Sequence, residues 1–267
     1  MKKKQILLTN DDGIRSPGLW AAAEALSALG YVTVVAPREQ SSAMGRSMPV
    51  TSDGIIREEQ VHVNGQDWQV YAVGGSPAQA VQHGVLRIAS EKPDLVVSGI
   101  NYGENLALGV TVSGTVGAAM EAVALGIPAL AVSLETGKEF HLSYSDQIDF
   151  GAAAYFLTLF AQKMLEKEFP PLANLLKVDV PSRATEETPW RITRLSPRAY
   201  YHPIAPQDDD WSQPYLIDYD TEVDWDSEPE DTDVYAVHKR HEVSVTPLTL
   251  DCTARVDLNE FDRFLRE

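Results

Sequence analysis

Gln5-Ile6-Leu7-Leu8-Thr9-Asn10-Asp11-Asp12-Gly13, then Gly18 to Leu29, then Tyr31-Val32-Thr33-Val34-Val35-Ala36 is the stretch that decides the fold. The first run is a short apolar strand that breaks into a polar turn. The second is rich in alanine, carries a helical pattern and ends at Gly30. The third is β-branched and is stopped by Pro37. Strand, helix and strand in that order imply a parallel, right-handed crossover.

The same alternation continues outward. Residues 52 to 73 read as short strands or a hairpin around Asn64-Gly65, and Pro77 to Ile88 as a helix with proline in its first turn. Asp94 to Ser98 is a buried strand, followed by a loop of glycine and asparagine from Gly99 to Gly114. Thr115 to Leu125 is a helix closed by Gly126 and Pro128, and Ala129 to Leu134 a further strand. Asp146 to Lys167 has long helical periodicity, broken by Pro170-Pro171. Regular βα alternation predicts an α/β fold with an open, mostly parallel sheet and helices on both faces. The expected division is a core over residues 1–185 and an extension over 186–267.

From Trp190 onward, aromatic and β-branched segments separated by proline and acidic residues suggest hairpins added to that core. No lysine or arginine lies between Arg198 and Lys239. The acidic runs there, Asp208 to Asp210 and Glu228 to Asp233, lack the spacing of a calcium loop and read as a solvated, extended arm.

Composition narrows the function. With 39 acidic residues against 22 basic ones the formal charge is −17, a surface that repels polyanions, so no nucleic-acid polymer is expected as a partner. A bound cation can still reverse the field inside one pocket. The lone Cys252 forms no intramolecular disulfide, which fits a reducing compartment. After Lys2, Lys3 and Lys4 the apolar run Ile6-Leu7-Leu8 is too short for a signal segment, and no stretch approaches the ~20 apolar residues that span a bilayer. A cytoplasmic protein with no membrane partner is the expectation.

In doubly wound sheets ligands bind beyond the carboxyl ends of the strands, where successive loops converge. Three such loops are polar. In the first, the adjacent carboxylates of Asp11 and Asp12 repel each other unless a cation or proton lies between them; either they hold Mg²⁺ or Mn²⁺, or they are turn residues that cap a helix. The second, Arg38 to Ser47, offers Ser41, Ser42, Ser47 and Arg46 to a phosphate or is simply solvated. The third carries Asn101 and Asn105 and ends in Ser113-Gly114-Thr115, an anion site made of free N–H groups at a helix start, a plain N-cap, or both.

Other chemistries fit less well. Neither a P-loop nor a G-x-G-x-x-G dinucleotide fingerprint is present. Gly74-Gly75-Ser76-Pro77-Ala78 imitates a nucleophile elbow, yet it lacks the final glycine, and Pro77 removes an N–H that the oxyanion hole needs. Ser76 therefore reads as a helix cap, with a serine esterase as the lesser alternative. The six histidines show no H-E-x-x-H spacing, and His238 and His241 read as surface residues.

Taken in order, these motifs resemble the SurE survival-protein family of 5′/3′-nucleotidases. The residues that carry the resemblance are Ile6 to Gly13 with Pro17-Gly18; Val34 to Pro37 with Ser42 and Ser47; Gly75 to Ala78; Pro93 to Asn105; Ser113 to Glu121; Gly126 to Ser133; and Val243 to Leu248. The resemblance implies a Rossmann-like core with a protruding β-hairpin and a C-terminal tail exchanged between subunits. It implies one divalent cation per subunit, Mg²⁺ or Mn²⁺, held by Asp11, Asp12, Ser42 and Asn101. It further implies hydrolysis of nucleoside 5′- and 3′-monophosphates, with Asp11 and Asp12 catalytic and Asn101, Ser113, Gly114 and Thr115 on the substrate phosphate. A nucleotide-binding regulatory protein without turnover is the rival. The chain departs from the family at Arg38-Glu39-Gln40, Gln79, Ala107-Leu108 and Val112, which bears on substrate preference. The aromatics after Trp190 and the amphipathic tail Val256 to Leu265 predict a homo-oligomer, a dimer or tetramer.

Overall fold

A computed structural model describes residues 3–141, 144–145, 147–170, 173–206, 210–212 and 214–267. The readings that involve Lys2, Asp146, Pro171, Asp208 and Asp209 lie outside the described residues. The crossover is present as β1 (Lys4–Thr9), α1 (Pro17–Ser27) and β2 (Gly30–Pro37). Then follow the hairpin β3 (Ile56–Val63) and β4 (Gln66–Val73), α2 (Pro77–His83), β5 (Leu95–Tyr102), α3 (Gly114–Ala124), β6 (Ala129–Leu134), α4 (Gly151–Glu166) and β7 (Leu175–Val180). The turn between β3 and β4 is Asn64-Gly65, both at positive φ (48° and 82°), the conformation that these two residues tolerate best. After β7 come the short β8 (Trp190–Ile192), β9 (His202–Pro203) and β10 (Tyr219–Asp220), then β11 (Val243–Leu248) and an α5 (Leu258–Arg266) at the C-terminus.

Nine strands form one sheet in the order β3-β4-β2-β1-β5-β6-β7-β11-β8. The pairs from β4 through β7 are parallel, and β3 and β11 run antiparallel to their inner neighbours. Strand alternation sends Ile6 and Leu8 to one face, where α1 and α4 cover them, and Leu7 to the other, under α2 and α3. The predicted α/β architecture, a mostly parallel sheet with helices on both faces, is thus observed. Chain order reverses between β1 and β5: β2 and β4 lie to one side, β6 and β7 to the other. The crevice for a ligand opens at that switch point.

Several local readings differ. β5 does not stop at Ser98 but continues to Tyr102, through a register irregularity against β6 between Ser98 and Asn101, so Asn101 belongs to a strand and not to a loop. α4 starts at Gly151, later than the periodicity suggests. β7 was not expected, because Lys177 and Asp179 interrupt its apolar run; both are fully buried and pair with each other. The arm is not wholly solvated either. Glu228, Thr232 and Asp233 are buried, and Asp233 accepts from Lys177 Nζ at 3.0 Å and from the N–H groups of Ala107 and Ser196 at 3.0 and 2.9 Å. A charged run that pairs with a buried lysine cannot be told from a solvated one by composition.

Beyond β8, the pair β9–β10 forms a separate two-stranded antiparallel sheet. Tyr200 at its base packs with Leu106, Val234 and Val237, while Trp211 remains 95% exposed. Every residue from 251 to 267 is exposed on the single chain. Among the described residues, no helix is long and apolar enough to cross a membrane.

Candidate active site

The loop after β1 is closed by Asn10, whose side-chain amide donates to Gly13 O and whose Oδ1 accepts from Gly13 N, both at 3.1 Å. Gly13 sits at φ 99°, a value open to glycine and costly for other residues. This small cage turns Asp11 and Asp12 inward. Neither caps α1, whose N-cap position is Ser16, so the local reading of these aspartates as caps of the next helix does not hold.

Asp11 faces the N-terminus of α3. The Thr115 hydroxyl donates to its Oδ1, and Gly114 approaches so closely that a Cβ there would lie 2.6 Å from Asp11 Cβ. Asp12 Oδ2 lies 3.4 Å from the N–H of Tyr102 and its Oδ1 3.5 Å from Gln40 Nε2, while its carbonyl accepts from Tyr144 OH at 2.8 Å. Both side chains are buried. Burial raises the Asp11 pKa; burial and then the Asp11 charge raise that of Asp12 well above the usual carboxylate range. No lysine, arginine or histidine forms an ion pair with either one among the described residues. Two desolvated, mutually repelling carboxylates without a cationic partner are an environment that a hard divalent cation suits.

A cleft of about 830 Å³ opens beside them and is lined by Asp11, Ser42, Asn101 and Ser113 among others. Asn101 spends its amide hydrogens on Tyr102 O (3.2 Å) and Gly103 O (2.7 Å), which leaves its Oδ1 to serve as an oxygen ligand. Ser42 is exposed at the rim. Asp12, Gly114 and Thr115 do not line the cleft itself; they stand behind Asp11 or beside it. Ser113 is the N-cap of α3, with its Oγ accepting from Val116 N at 3.1 Å. Among the described residues no group of three or more carboxylates, imidazoles or thiolates is placed to hold a metal ion, so a cation at Asp11 and Asp12 would complete its shell with neutral oxygens such as those of Ser42 and Asn101.

Other serines of the second loop turn away. Ser41 Oγ donates to Glu39 O at 3.2 Å, and Arg46 pairs with the buried Glu121 at 2.8 Å. Ser76 closes a capping box with Gln79, and its hydroxyl donates to Ser47 O at 2.6 Å. That is the predicted helix cap, and it also shows what Gln79 does: it serves α2 and not the cleft.

Sequence reasoning missed the group behind the cleft. His238, read as a surface residue, lies between Glu104 (3.6 Å) and Glu135 (3.3 Å) and stacks on Tyr200 at 5.2 Å. Burial alone would lower its pKa; the two carboxylates outweigh this and lift it to about 9. Glu135, despite burial, is held at about 2 by His238 and by Ser182. Tyr200 OH donates to Glu104 at 2.7 Å and Tyr201 OH to Glu104 O at 2.6 Å, which fastens the arm to the cleft loop. Nothing in the spacing of the three charged residues announces the cluster; among Glu104, Glu135 and His238 the nearest chain separation, from Glu104 to Glu135, is already 31 positions.

Comparison with known proteins adds an independent line. The family model described as Survival protein SurE matches residues 6–202. A protein of Thermococcus gammatolerans named 5′-nucleotidase SurE is 45% identical, with 98% of this chain and 96% of that protein covered. A protein of the same name from Methanocella arvoryzae is 43% identical over 98% of both chains. The crystal structure of the SurE protein from Aquifex aeolicus superposes with a TM-score of 0.77 at 32% identity, covering 98% of this chain and 100% of that one. Near-complete coverage at such identity, together with the shared fold, shows that this chain belongs to the SurE survival-protein family.

Proposed function

We propose that this chain is a phosphomonoesterase that hydrolyses nucleoside 5′- and 3′-monophosphates to nucleoside and phosphate, with one divalent cation, Mg²⁺ or Mn²⁺, per subunit. The observation that carries the reading is the buried Asp11–Asp12 pair at the sheet's switch point, with no cationic side chain paired to it among the described residues. The name 5′-nucleotidase borne by its relatives supports the same reading. Asp11, Asp12, Ser42 and Asn101 would hold the cation, which supplies positive charge to the phosphate and acidifies a water. Ser113, with Oγ already accepting from Val116 N, retains its hydroxyl hydrogen to donate to a phosphate oxygen. The start of α3, at Gly114 and Thr115, contributes the positive end of a helix beside the transferring group. Thr115 also orients Asp11 through its hydroxyl. Asp12 would align the attacking water; Asn101 would offer its Oδ1 to the cation, while its amide hydrogens, held by Tyr102 O and Gly103 O, are not free for the phosphate contact that the resemblance implies.

The test is phosphate release from AMP and GMP with Mn²⁺ or Mg²⁺, with and without chelator. Asp11→Asn removes one charge at nearly constant volume and should abolish the metal-dependent activity while the fold persists. Wild-type turnover in that variant at ordinary metal concentration sinks the reading; nucleotide binding without phosphate release would favour a regulatory role.

We also propose that the protein is a homo-oligomer. Leu258, Phe261, Phe264 and Leu265 of α5 are 65, 47, 72 and 68% exposed on the single chain, and such a face is stabilised by burial against another subunit. Light scattering should give a dimer or tetramer, and removal of the residues after Cys252 should lower the mass or cause aggregation. A strictly monomeric full-length protein defeats this proposal.

A further inference from the structure

Asn101 is oriented by the backbone that follows it. Its two amide hydrogens go to Tyr102 O and Gly103 O, so the direction of its Oδ1 depends on how firmly the stretch from Tyr102 to Glu104 is held. Gly103 N donates to Leu134 O at 2.8 Å, and Asn105 N to Asp179 Oδ1 at 2.8 Å. Between these two anchors the hold on the loop passes through Glu104. Its carbonyl accepts from Tyr201 OH, and its carboxylate accepts from Tyr200 OH.

Tyr200 OH is also 2.7 Å from His238 Nε2. A phenol has one hydrogen, and Tyr200 spends it on Glu104, so its oxygen accepts from the imidazole. The other ring nitrogen, Nδ1, faces Glu135 Oε1 at 3.3 Å. Both nitrogens are thus placed as donors, which makes His238 an imidazolium. Burial opposes that charge, but Glu104 and Glu135 lift the pKa to about 9. Glu135 is fixed in turn by Ser182, whose N–H and hydroxyl donate to its Oε2 at 2.8 and 3.0 Å. Contacts therefore run without a break from Ser182, just after β7, through Glu135, His238 and Tyr200 to Glu104 on the cleft loop. Among the described residues, Glu104, Glu135 and Tyr200 are the titratable groups that face the ring. Neither His238 nor Glu135 lines the cleft.

We propose that His238 is a positioning residue for the cation site: it holds Glu104, and through Glu104 the stretch of backbone on which Asn101 is oriented. The proposal rests on the reading of Asn101 as a cation ligand given above. It predicts a sign that separates it from other roles of a buried positive charge. Through space an imidazolium repels a divalent ion, so removing the charge should tighten the ion's binding. Through the loop, its removal releases Glu104 and should weaken binding, as loss of a group behind a ligand does, by about tenfold. A residue that serves stability alone leaves the affinity unchanged.

The dissociation constant of Mn²⁺ is measured on the substrate-free, full-length protein at neutral pH, from the electron paramagnetic resonance of the free ion. His238→Gln should bind about tenfold more weakly than the wild type, whereas Gly126→Ala, a substitution remote from the loop, should keep wild-type affinity. In turnover the loss should appear in the Mn²⁺ concentration for half-maximal rate, with kcat at saturating Mn²⁺ retained. Unchanged or tighter binding in His238→Gln overturns the proposal. If that variant does not fold, Glu135→Gln, which removes a carboxylate that keeps the ring charged, should shift the affinity in the same direction, and equal affinity overturns the proposal there too. Hydrogen exchange at the amides of Gly103 and Asn105 reads the loop with no ion present: both should exchange about tenfold faster in the variant, and equal rates overturn the positioning role. A wild type that binds neither Mn²⁺ nor Mg²⁺ refutes the cation reading instead, and the exchange rates still decide whether His238 holds the loop.

Discussion

A methyl group added at Gly114 would fall 2.6 Å from Asp11 Cβ and 2.7 Å from Asp11 Oδ2. Carbon atoms in contact prefer about 3.5–4.0 Å, so either the Asp11 side chain or the first turn of α3 must retreat by about 1 Å in Gly114→Ala. Two effects on stability oppose each other. Overpacking costs about 1–3 kcal/mol, whereas alanine is the better helix former by up to about 1 kcal/mol, and by less at the first helical position. The expected net loss is about 1–2 kcal/mol, which leaves the protein folded. On the proposed reading, in which Asp11 holds the cation, the effect on turnover should be larger in proportion, because a displacement of about 1 Å at such a group costs on the order of a hundredfold. Phosphate release from AMP at saturating Mn²⁺ measures the second quantity, and thermal unfolding the first. Gly126→Ala is the control: it sits at φ +71° with Lys92 Nζ 3.5 Å away as its nearest neighbour, so it should cost about 1 kcal/mol of stability and leave kcat/KM unchanged. Wild-type kcat/KM in Gly114→Ala would refute the claim that α3 is packed onto Asp11 closely enough to set its position.

Two further outcomes follow from charges buried outside the cleft. With a folded pKa of about 9 above the unfolded value near 6.5, His238 contributes stability that is complete below pH ~6.5 and is lost as pH rises through ~9, by at most about 3 kcal/mol; urea unfolding should show this decline in the wild type and not in His238→Gln, and identical profiles would remove the ion-pair cluster from the account. Lys177→Met leaves Asp179 and Asp233 buried together without their cation and should cost about 3–5 kcal/mol, seen as a large fall in melting temperature; a variant as stable as the wild type would mean that the buried triad is not charged as drawn.

The sequence by itself was enough for the parallel core of the sheet through β6 and for placing Asp11 and Asp12 at the end of β1. β1, α1 and β2 are each written locally, in an apolar run, an alanine-rich helix and a β-branched run bounded by Gly30 and Pro37, and chirality then fixes the crossover. Asp11, Asp12 and Asn101 stand out because polar residues directly follow strands or extend them, and those ends converge at one switch point. The cap at Ser76 was legible for the same reason, since a capping box spans only three positions. What the sequence could not decide depends on partners far apart in the chain. Lys177 reads as an interruption of a strand until Asp179 and Asp233 are seen around it, and His238 as a surface residue until Glu104 and Glu135 close on it. The continuation of β5 through Asn101 required its pairing with β6. One wall of the cleft exists only because the arm, anchored by Lys138 and His141, brings Leu216 and Ile217 to the cleft that Leu108 and Val112 also line. Periodicity and capping are local in sequence and survive in a one-dimensional reading; burial of charge and the shape of a cleft are properties of residues that meet only after the chain has folded.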